Sequence, residues 1–417
     1  MMSRKQNDHL TRVGKDQPAG KLLRRYWMPV ALSDELQTIR PVVPVRLMAE
    51  ELVLFKDDKG QLGLLQRHCP HRGADLCYGR LEDGGLRCAF HGWLFDSSGQ
   101  CLETPAEPEG SRMHERIRAI SYPVKEINGV IFAYLGPGDP PEVADLDCFR
   151  APDSHVFAFK GLWQCNWLQA LEVGIDPAHA SFLHRFLEDE DPEQSYGKQF
   201  RDHAADTDIP MTKLLREFPR PDIKVETTDY GLRLLSLRSL DENTTHVRVT
   251  NQIFPCAITI PMSRQINITQ WHVPIDDVNC YWYAMFTSFG DAVDKDKMRA
   301  QRLKEHTLPD YAPVKNRSNQ YHYSPEEQFS DRTEEHLGRS DIGIIRYRRL
   351  LSEMISRVCE GNDQEILMRG IESEVSKIQG PMAIDAITAA DSWQDEWLEA
   401  EHARRRSAPW SAELNSE

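Results

Sequence analysis

The chain has 417 residues and carries 50 Lys plus Arg against 65 Asp plus Glu, a net charge of −15. That length allows two or three domains, and so acidic a chain repels phosphate backbones, which argues against a nucleic-acid partner. No run of about eighteen apolar residues occurs, and the segment from Met1 to His9 leads into no apolar signal core, so neither a membrane span nor secretion is expected.

Residues 1–30 read as a helical lead-in, with Leu22, Leu23, Tyr26 and Trp27 on one apolar face. From Pro41 to Pro140 the pattern is β. Short runs such as Val43–Leu47, Leu52–Phe55 and Val130–Leu135 alternate with turn signals, among them Asp57-Asp58-Lys59-Gly60 and Asp96-Ser97-Ser98-Gly99. Leu135-Gly136-Pro137-Gly138-Asp139-Pro140-Pro141 marks a boundary, giving expected units of 31–140 and 141–417. Beyond it, residues 160–190 read as helix. Strands are expected over Ile223–Thr227, Leu232–Leu237, Thr245–Phe254, Gln265–Val273 and Tyr281–Phe286. Residues 341–402 read as helices, with Ile342, Ile345, Leu350, Leu351, Met354 and Ile355 at helical spacing.

Within the β-rich part stand Cys69-Pro70-His71-Arg72-Gly73 and, after fourteen intervening residues, Cys88-Ala89-Phe90-His91-Gly92-Trp93. Two thiolates can hold one iron and two imidazoles another, the ligand set of a Rieske [2Fe–2S] cluster. The same four residues could bind one structural zinc. Zinc ligands more often come as separate Cys-Cys and His-His pairs, whereas each pair here mixes the two. Pro70, Gly73 and Gly92 bend these loops, so backbone N–H groups can reach the cluster sulfurs. The other seven cysteines (Cys77, Cys101, Cys148, Cys165, Cys256, Cys280, Cys359) are dispersed, which suits free thiols in a reducing cytoplasm; a Cys77–Cys101 disulfide is the alternative.

His179 and His184 follow Asp176-Pro177. Two imidazoles with a carboxylate form the facial triad of non-haem Fe(II) oxygenases, although such a pair alone is better read as two ordinary core or surface histidines. Beside a one-electron cluster the metal reading gains, because the electrons need a destination. Asp176 suits either of two compatible roles, accepting the N–H of a ligand histidine or capping the helix that Pro177 begins.

Taken together, these motifs resemble the catalytic α subunit of Rieske non-haem iron aromatic oxygenases, in the branch containing phthalate dioxygenase and biaryl O-demethylases. Arg24-Arg25-Tyr26-Trp27-Met28-Pro29-Val30 and Asp331-Arg332-Thr333-Glu334-Glu335-His336-Leu337-Gly338 extend the resemblance over nearly the whole chain. It implies an α+β fold, with an antiparallel β Rieske domain followed by a helix-grip catalytic domain whose antiparallel sheet is covered by helices. It implies that Cys69 and Cys88 ligate one cluster iron, His71 and His91 the other, and His179 and His184 a mononuclear Fe(II). It implies that Asp176 bridges to the cluster of a neighbouring subunit in a homotrimer or a multiple of it. The family's third iron ligand is an Asp ahead of the Asp-Arg-Thr segment; here that stretch is shortened, and Asp331, Glu326 and Glu327 are the nearest carboxylates.

The implied partners are an NAD(P)H-dependent reductase, with or without a ferredoxin, O2 and a small aromatic substrate. The implied reaction is O-demethylation of a methoxylated aromatic acid, such as a lignin-derived biaryl, with release of formaldehyde. Ring dihydroxylation of a phthalate-like acid is the alternative, and a Rieske electron carrier without oxygenase activity is a third reading. Arg201 and Arg248 are candidates for holding a substrate carboxylate, or are ordinary surface arginines. The acidic run Leu187–Glu193 fits a pocket edge or solvated surface.

Overall fold

Short strand-forming runs between turn signals recur along the chain, and among the described residues the computed structural model pairs them into four antiparallel sheets. Residues 2–182, 209, 211–307, 332–368 and 380–411 are described. Helix α1 (Arg4–Thr11) starts on a capping box between Ser3 and Gln6, and α2 (Pro18–Leu23) starts on a proline. The helical lead-in ends there. Trp27–Leu32 is strand β1, where β-branched and aromatic residues next to Pro29 favour extended backbone.

The N-terminal β part has three sheets. One pairs β2 (Val42–Leu47), β3 (Glu50–Lys56), β4 (Leu62–Gln66) and a short strand at Ser121–Tyr122; a second contains β5 (Arg80–Glu82), β6 (Gly85–Arg87), β7 (Leu94–Phe95) and β8 (Cys101–Glu103). With the short strand counted as β9, the third sheet orders β1, β11 (Val130–Tyr134) and β10 (Val124–Ile127). Both turn signals behave alike. Asp57 Oδ1 accepts the N–H groups of Lys59 and Gln61 at 2.9 and 2.7 Å, and Asp96 Oδ1 those of Ser98 and Gln100, both at 2.9 Å.

The second part is an eight-stranded sheet in the order β12 (Val156–Trp163), β18 (Cys280–Ser288), β17 (Ile266–Pro274), β16 (Ala257–Pro261), β15 (Thr244–Ile253), β14 (Gly231–Ser239), β13 (Asp222–Thr228), with β19 (Asp385–Ala389) added to β15. Among the described residues its helices are α3 (Asp147–Arg150), α4 (Trp167–Gly174), α5 (Met211–Glu217), α6 (Lys295–Thr307), α7 (Ile342–Cys359) and α8 (Trp393–Ser407). Two expectations are corrected. The region read as helix from 160 opens as strand, because Val156–Trp163 pairs with β18 along its length. The C-terminal region read as helical contains β19, whose Ala386 and Thr388 are buried while Ile387 is exposed, a strand alternation.

The register places Arg238, Arg248, Ile258, Gln270, His272, Trp282 and Trp163 on one face of this sheet and Ala257, Trp271, Val273 and Tyr283 on the other. The second face meets the N-terminal part: Trp271 stacks on Phe149 at 5.8 Å and meets Phe132 edge-on at 5.6 Å. The first face carries α4, close enough that a Cβ on Gly174 would stand 2.1 Å from Ile258 Cδ1. One contiguous apolar core joins both parts.

The run Arg24–Trp27 ties these pieces together. Arg24 is buried and donates to the carbonyls of Val13 and Met48 and to Glu50; Arg25 pairs with Asp363; Tyr26 Oη donates to Leu367 O and Trp27 Nε1 to Pro141 O. Among the described residues no helix is long and apolar enough to cross a membrane.

Candidate active site

The two Cys-His loops are built on one plan. Cys69 N–H donates to Ala74 O and Gly73 N–H to Cys69 O; Cys88 N–H donates to Trp93 O and Gly92 N–H to Cys88 O. Each glycine stands four residues after its cysteine with φ of +75°, a backbone region that side chains resist, so each loop reverses sharply there. Each loop is also tied at its base by an arginine. Arg67 grips Asp75 through Nε at 2.9 Å and Nη2 at 2.7 Å, while Arg87 donates to Gly92 O at 2.8 Å and pairs with Glu82, Asp83 and Glu103.

Cys69 and Cys88 are buried and adjacent, whereas His71 and His91 are half-exposed with ring centroids 4.7 Å apart. His71 stacks on Trp93 at 4.4 Å and 10° between planes, which fixes its ring. Burial pushes the Cys69 thiol up to about 12, and the neighbouring Cys88 adds to the rise, while the N–H of His71 opposes it. Two thiols side by side away from water ionise together only next to a cation, and the N–H directed at sulfur is the hydrogen bond that cluster sulfurs accept. Among the described residues no three His, Cys, Asp or Glu side chains gather around one point. The donors stand instead as a thiol pair and an imidazole pair, which fits a two-iron cluster with mixed ligands better than one tetrahedral zinc. All nine cysteines are free thiols, so the Cys77–Cys101 disulfide does not form.

Removing the Arg67–Asp75 tie gives a first prediction. Asp75 is held down to about 2, first by Arg67, and its other oxygen accepts the Cys77 N–H. Asp75→Asn retains that cap and loses the ion pair, worth about 1 kcal/mol for a partly exposed pair. The visible absorption of the cluster is expected to bleach several degrees earlier on heating than in the wild type. Superimposable bleaching curves would mean that the loop is held by other contacts.

The second candidate centre follows α4. Asn166 caps this helix, its Oδ1 accepting the Leu168 N–H at 3.0 Å, and the chain then turns at Asp176-Pro177. The Asp176 carboxylate takes the Ala178 N–H at 2.8 Å, the capping role, and the main-chain carbonyl of Asp176 accepts from His179 Nδ1. That bond selects the tautomer whose Nε2 carries the lone pair, the form a metal needs. The pKa of His179 is lowered chiefly by burial; Asp176 opposes this and the charge of Arg248 adds to it, so the ring is held neutral. Burial likewise raises Asp176. One residue past Ala180, Ser181 Oγ accepts from Arg238 Nη2 at 3.3 Å, tying the segment to the sheet.

His184, Arg201, Glu326, Glu327, Asp331 and the run Leu187–Glu193 lie outside the described residues. Arg248 faces His179, but its guanidinium is already bound to Asp385 at 2.5 Å and to Pro261 O at 2.9 Å, and Asp385 also reaches His246 at 3.1 Å. Sequence reasoning missed Asp385 because its strand was read as helix; Gly380-Pro381 followed by Ile387 and Thr388 was the available signal. It also missed the buried charges beneath α4. Glu172, one turn before Asp176, accepts from Arg348 Nε at 2.6 Å and from Arg332 Nη2 at 2.9 Å, and Arg348 also grips Glu335 at 2.6 and 2.9 Å. The Arg-Thr-Glu-Glu segment at 332–335 is therefore part of the frame under the histidine.

Comparison with known proteins agrees with this geometry. A family model described as the Rieske [2Fe-2S] domain matches residues 26–125, and one described as LigXa C-terminal domain like matches 133–326. The 5,5'-dehydrodivanillate O-demethylase oxygenase subunit of Sphingobium sp. is 32% identical, covering 88% of this chain and 84% of that protein. The chain belongs to the Rieske non-haem iron oxygenases. The oxygenase is also 30% identical to the phthalate 4,5-dioxygenase oxygenase subunit of Pseudomonas putida, over 95% of this chain and 94% of that one. A crystal structure of dicamba monooxygenase bound to dicamba shares the fold, with a TM-score of 0.59 and 20% identity over 81% of this chain and 99% of that chain. Membership carries a Rieske cluster and a mononuclear iron, and it makes this an enzyme acting on an aromatic substrate with O2 and reductase electrons. It overturns the reading as a bare electron carrier, since the matches span 84% and 94% of two oxygenase subunits.

Proposed function

We propose that the enzyme O-demethylates a methoxylated aromatic acid, of the lignin-derived biaryl type. One observation carries this reading: the Sphingobium relative, over most of both chains, is an O-demethylase subunit. When bound, the cluster supplies single electrons and the mononuclear iron supplies O2 chemistry. Cys69 with Cys88 and His71 with His91 are the proposed cluster ligands, and His179 and His184 the proposed ligands of the mononuclear iron. Asp176 is the proposed link between the centres of neighbouring subunits in a homotrimer, supported by its place three residues before His179, to which its main chain is bonded. An NAD(P)H-dependent reductase, alone or through a ferredoxin, is the proposed donor, and the cytoplasm the proposed compartment. The unit boundary near 140 is likewise proposed, on the Pro- and Gly-rich run 135–141; the two matched family models divide the chain somewhat earlier, between 125 and 133.

The chain's own residues set the geometry. Burial chiefly lowers the pKa of His179, with the charge of Arg248, oriented by Asp385, adding to it, and Arg238 holds the segment through Ser181. The overall change balances as methyl ether, O2, two electrons and two protons giving a phenol, formaldehyde and water. Ring dihydroxylation of a phthalate-like acid is the second reading, favoured by the likeness to the phthalate dioxygenase subunit.

The test is NADH-dependent turnover with a reductase, offering a methoxylated biaryl acid and a phthalate side by side. Formaldehyde with a phenolic product is expected. A cis-diol without formaldehyde would instead establish the ring dioxygenase.

A further inference from the structure

On the sheet face that carries α4, a line of contacts runs away from the His179 segment. Gln270 Nε2 lies 3.9 Å from where a Cβ on Gly174 would stand, two residues before Asp176. Gln270 Oε1 accepts from Trp282 Nε1 at 2.8 Å, and Trp282 stacks on Trp163 with ring centroids 6.1 Å apart. Trp163 in turn meets His272 at 5.2 Å. The line ends in polar atoms with nothing to bond. His272 is 1% exposed, yet both its ring nitrogens lack a partner, and so does the buried Nε1 of Trp163. Buried polar groups are nearly always paired, and three orphans on two touching rings are unusual. His272 is two residues from Gln270 along one strand, about 7 Å. Gln270 thus stands against the end of α4 just before Asp176, and the orphans lie one side-chain step further along the same sheet face.

The chemistry of the orphans narrows what they would take. An indole N–H only donates, and a neutral imidazole donates from one nitrogen and accepts at the other. Burial pushes His272 down to about 3, so the ring is neutral at any working pH. The residues in this line, Trp163, Gln270, Trp282 and His272, carry no charge, and Arg248 is engaged by Asp385. A carboxylate buried here would lack a counter-ion. A hydroxyl fits, since its oxygen accepts from Trp163 and its hydrogen is donated to His272.

We infer that His272 and Trp163 form a specificity subsite that receives a neutral hydroxyl on the aromatic substrate, away from the carbon that is oxidised. This rests on the aromatic-acid reading proposed above and deepens it. The experiment uses the iron-loaded enzyme and two methoxylated aromatic acids that differ only in a ring hydroxyl, with binding read by calorimetry. Wild type is expected to prefer the hydroxylated acid by about 10-fold or more, as sites built to bond a hydroxyl do. His272→Phe and Trp163→Phe are each expected to collapse that preference toward unity by weakening the hydroxylated acid alone, and His272→Gln to restore part of it. A wild type without the preference, or variants that weaken both acids equally, would overturn the subsite and leave the orphans as holders of buried water. The product is assayed separately: a cis-diol in place of formaldehyde would sink the demethylase reading while leaving the binding preference to be judged on its own.

Discussion

His179→Ala is expected to abolish turnover while leaving the Rieske cluster intact. Product formation should fall by about 10³-fold or more, roughly 4 kcal/mol of transition-state stabilisation. Iron content should drop from about three to about two per chain, following the two ligand sets. The visible cluster spectrum should not change, because His179 stands on the segment after α4 and the Cys69 and Cys88 loops lie in the N-terminal sheets. Asp176→Asn separates folding from relay. Asparagine caps a helix as well as aspartate does, so the Ala178 N–H keeps its acceptor. The His179 Nδ1 partner, a main-chain carbonyl, also survives, so a fall in activity of about 10- to 100-fold, the usual cost of losing a carboxylate that supports a metal ligand, is expected from the proposed link to the neighbouring subunit's cluster alone. Wild-type rates in His179→Ala, or loss of the cluster with it, would remove His179 from the mononuclear site.

The second large effect concerns stability. Glu172 sits beneath the histidine segment with the guanidiniums of Arg332 and Arg348, and all three are buried. Burial alone would raise the pKa of Glu172, but the two arginines more than reverse this and hold it below its ordinary value. Glu172→Gln leaves two buried cations short of an anion and should cost about 3–5 kcal/mol. The sign with pH follows from the lowered pKa. This stabilisation is complete above the ordinary glutamate range and is lost as pH falls through the lowered value. Thermal melts of wild type should therefore fall on acidification more steeply than those of Glu172→Gln. A Glu172→Gln/Arg348→Met double variant should recover much of the loss, since it restores the balance of charge. Equal melting of wild type and Glu172→Gln would mean that the network contributes nothing net.

The cluster loops were legible in the sequence because their chemistry is local. Cysteine, histidine and a turn glycine lie within five residues of one another in each loop, and no distant contact is needed to recognise them. Strands β13 to β15 were legible for a related reason, since runs rich in apolar and β-branched residues stand there between turn signals such as Thr228-Asp229-Tyr230-Gly231. The second centre was legible only in part. Asp176 and His179 stand in one motif, but the residues that support them come from far along the chain: Arg238 and Arg248 from neighbouring strands, Arg348 from α7, Asp385 from β19. Nothing local in Ile342–Cys359 marks Arg348 as the buried arginine beside exposed Arg349. The strand β12 was misread because Val156–Trp163 is buried on alternate positions only at its start and passes directly toward a true helix.

Strand β1 has a consequence for anyone wishing to borrow the electron-carrying half. Its residues Trp27–Leu32 pair with β11, at the far end of the cluster-bearing unit, through the register Trp27 to Tyr134. A fragment cut at residue 31 would strip away most of that partner and leave the hydrophobic Val130–Tyr134 as an unprotected edge, an invitation to intermolecular pairing. A portable ferredoxin made from this oxygenase has to begin before Arg24 and replace the anchors that Arg25, Tyr26 and Trp27 find in the remainder of the chain. Modularity in the order of residues is here not modularity in assembly, and chimeras that exchange catalytic halves between relatives inherit that constraint at their N-terminus.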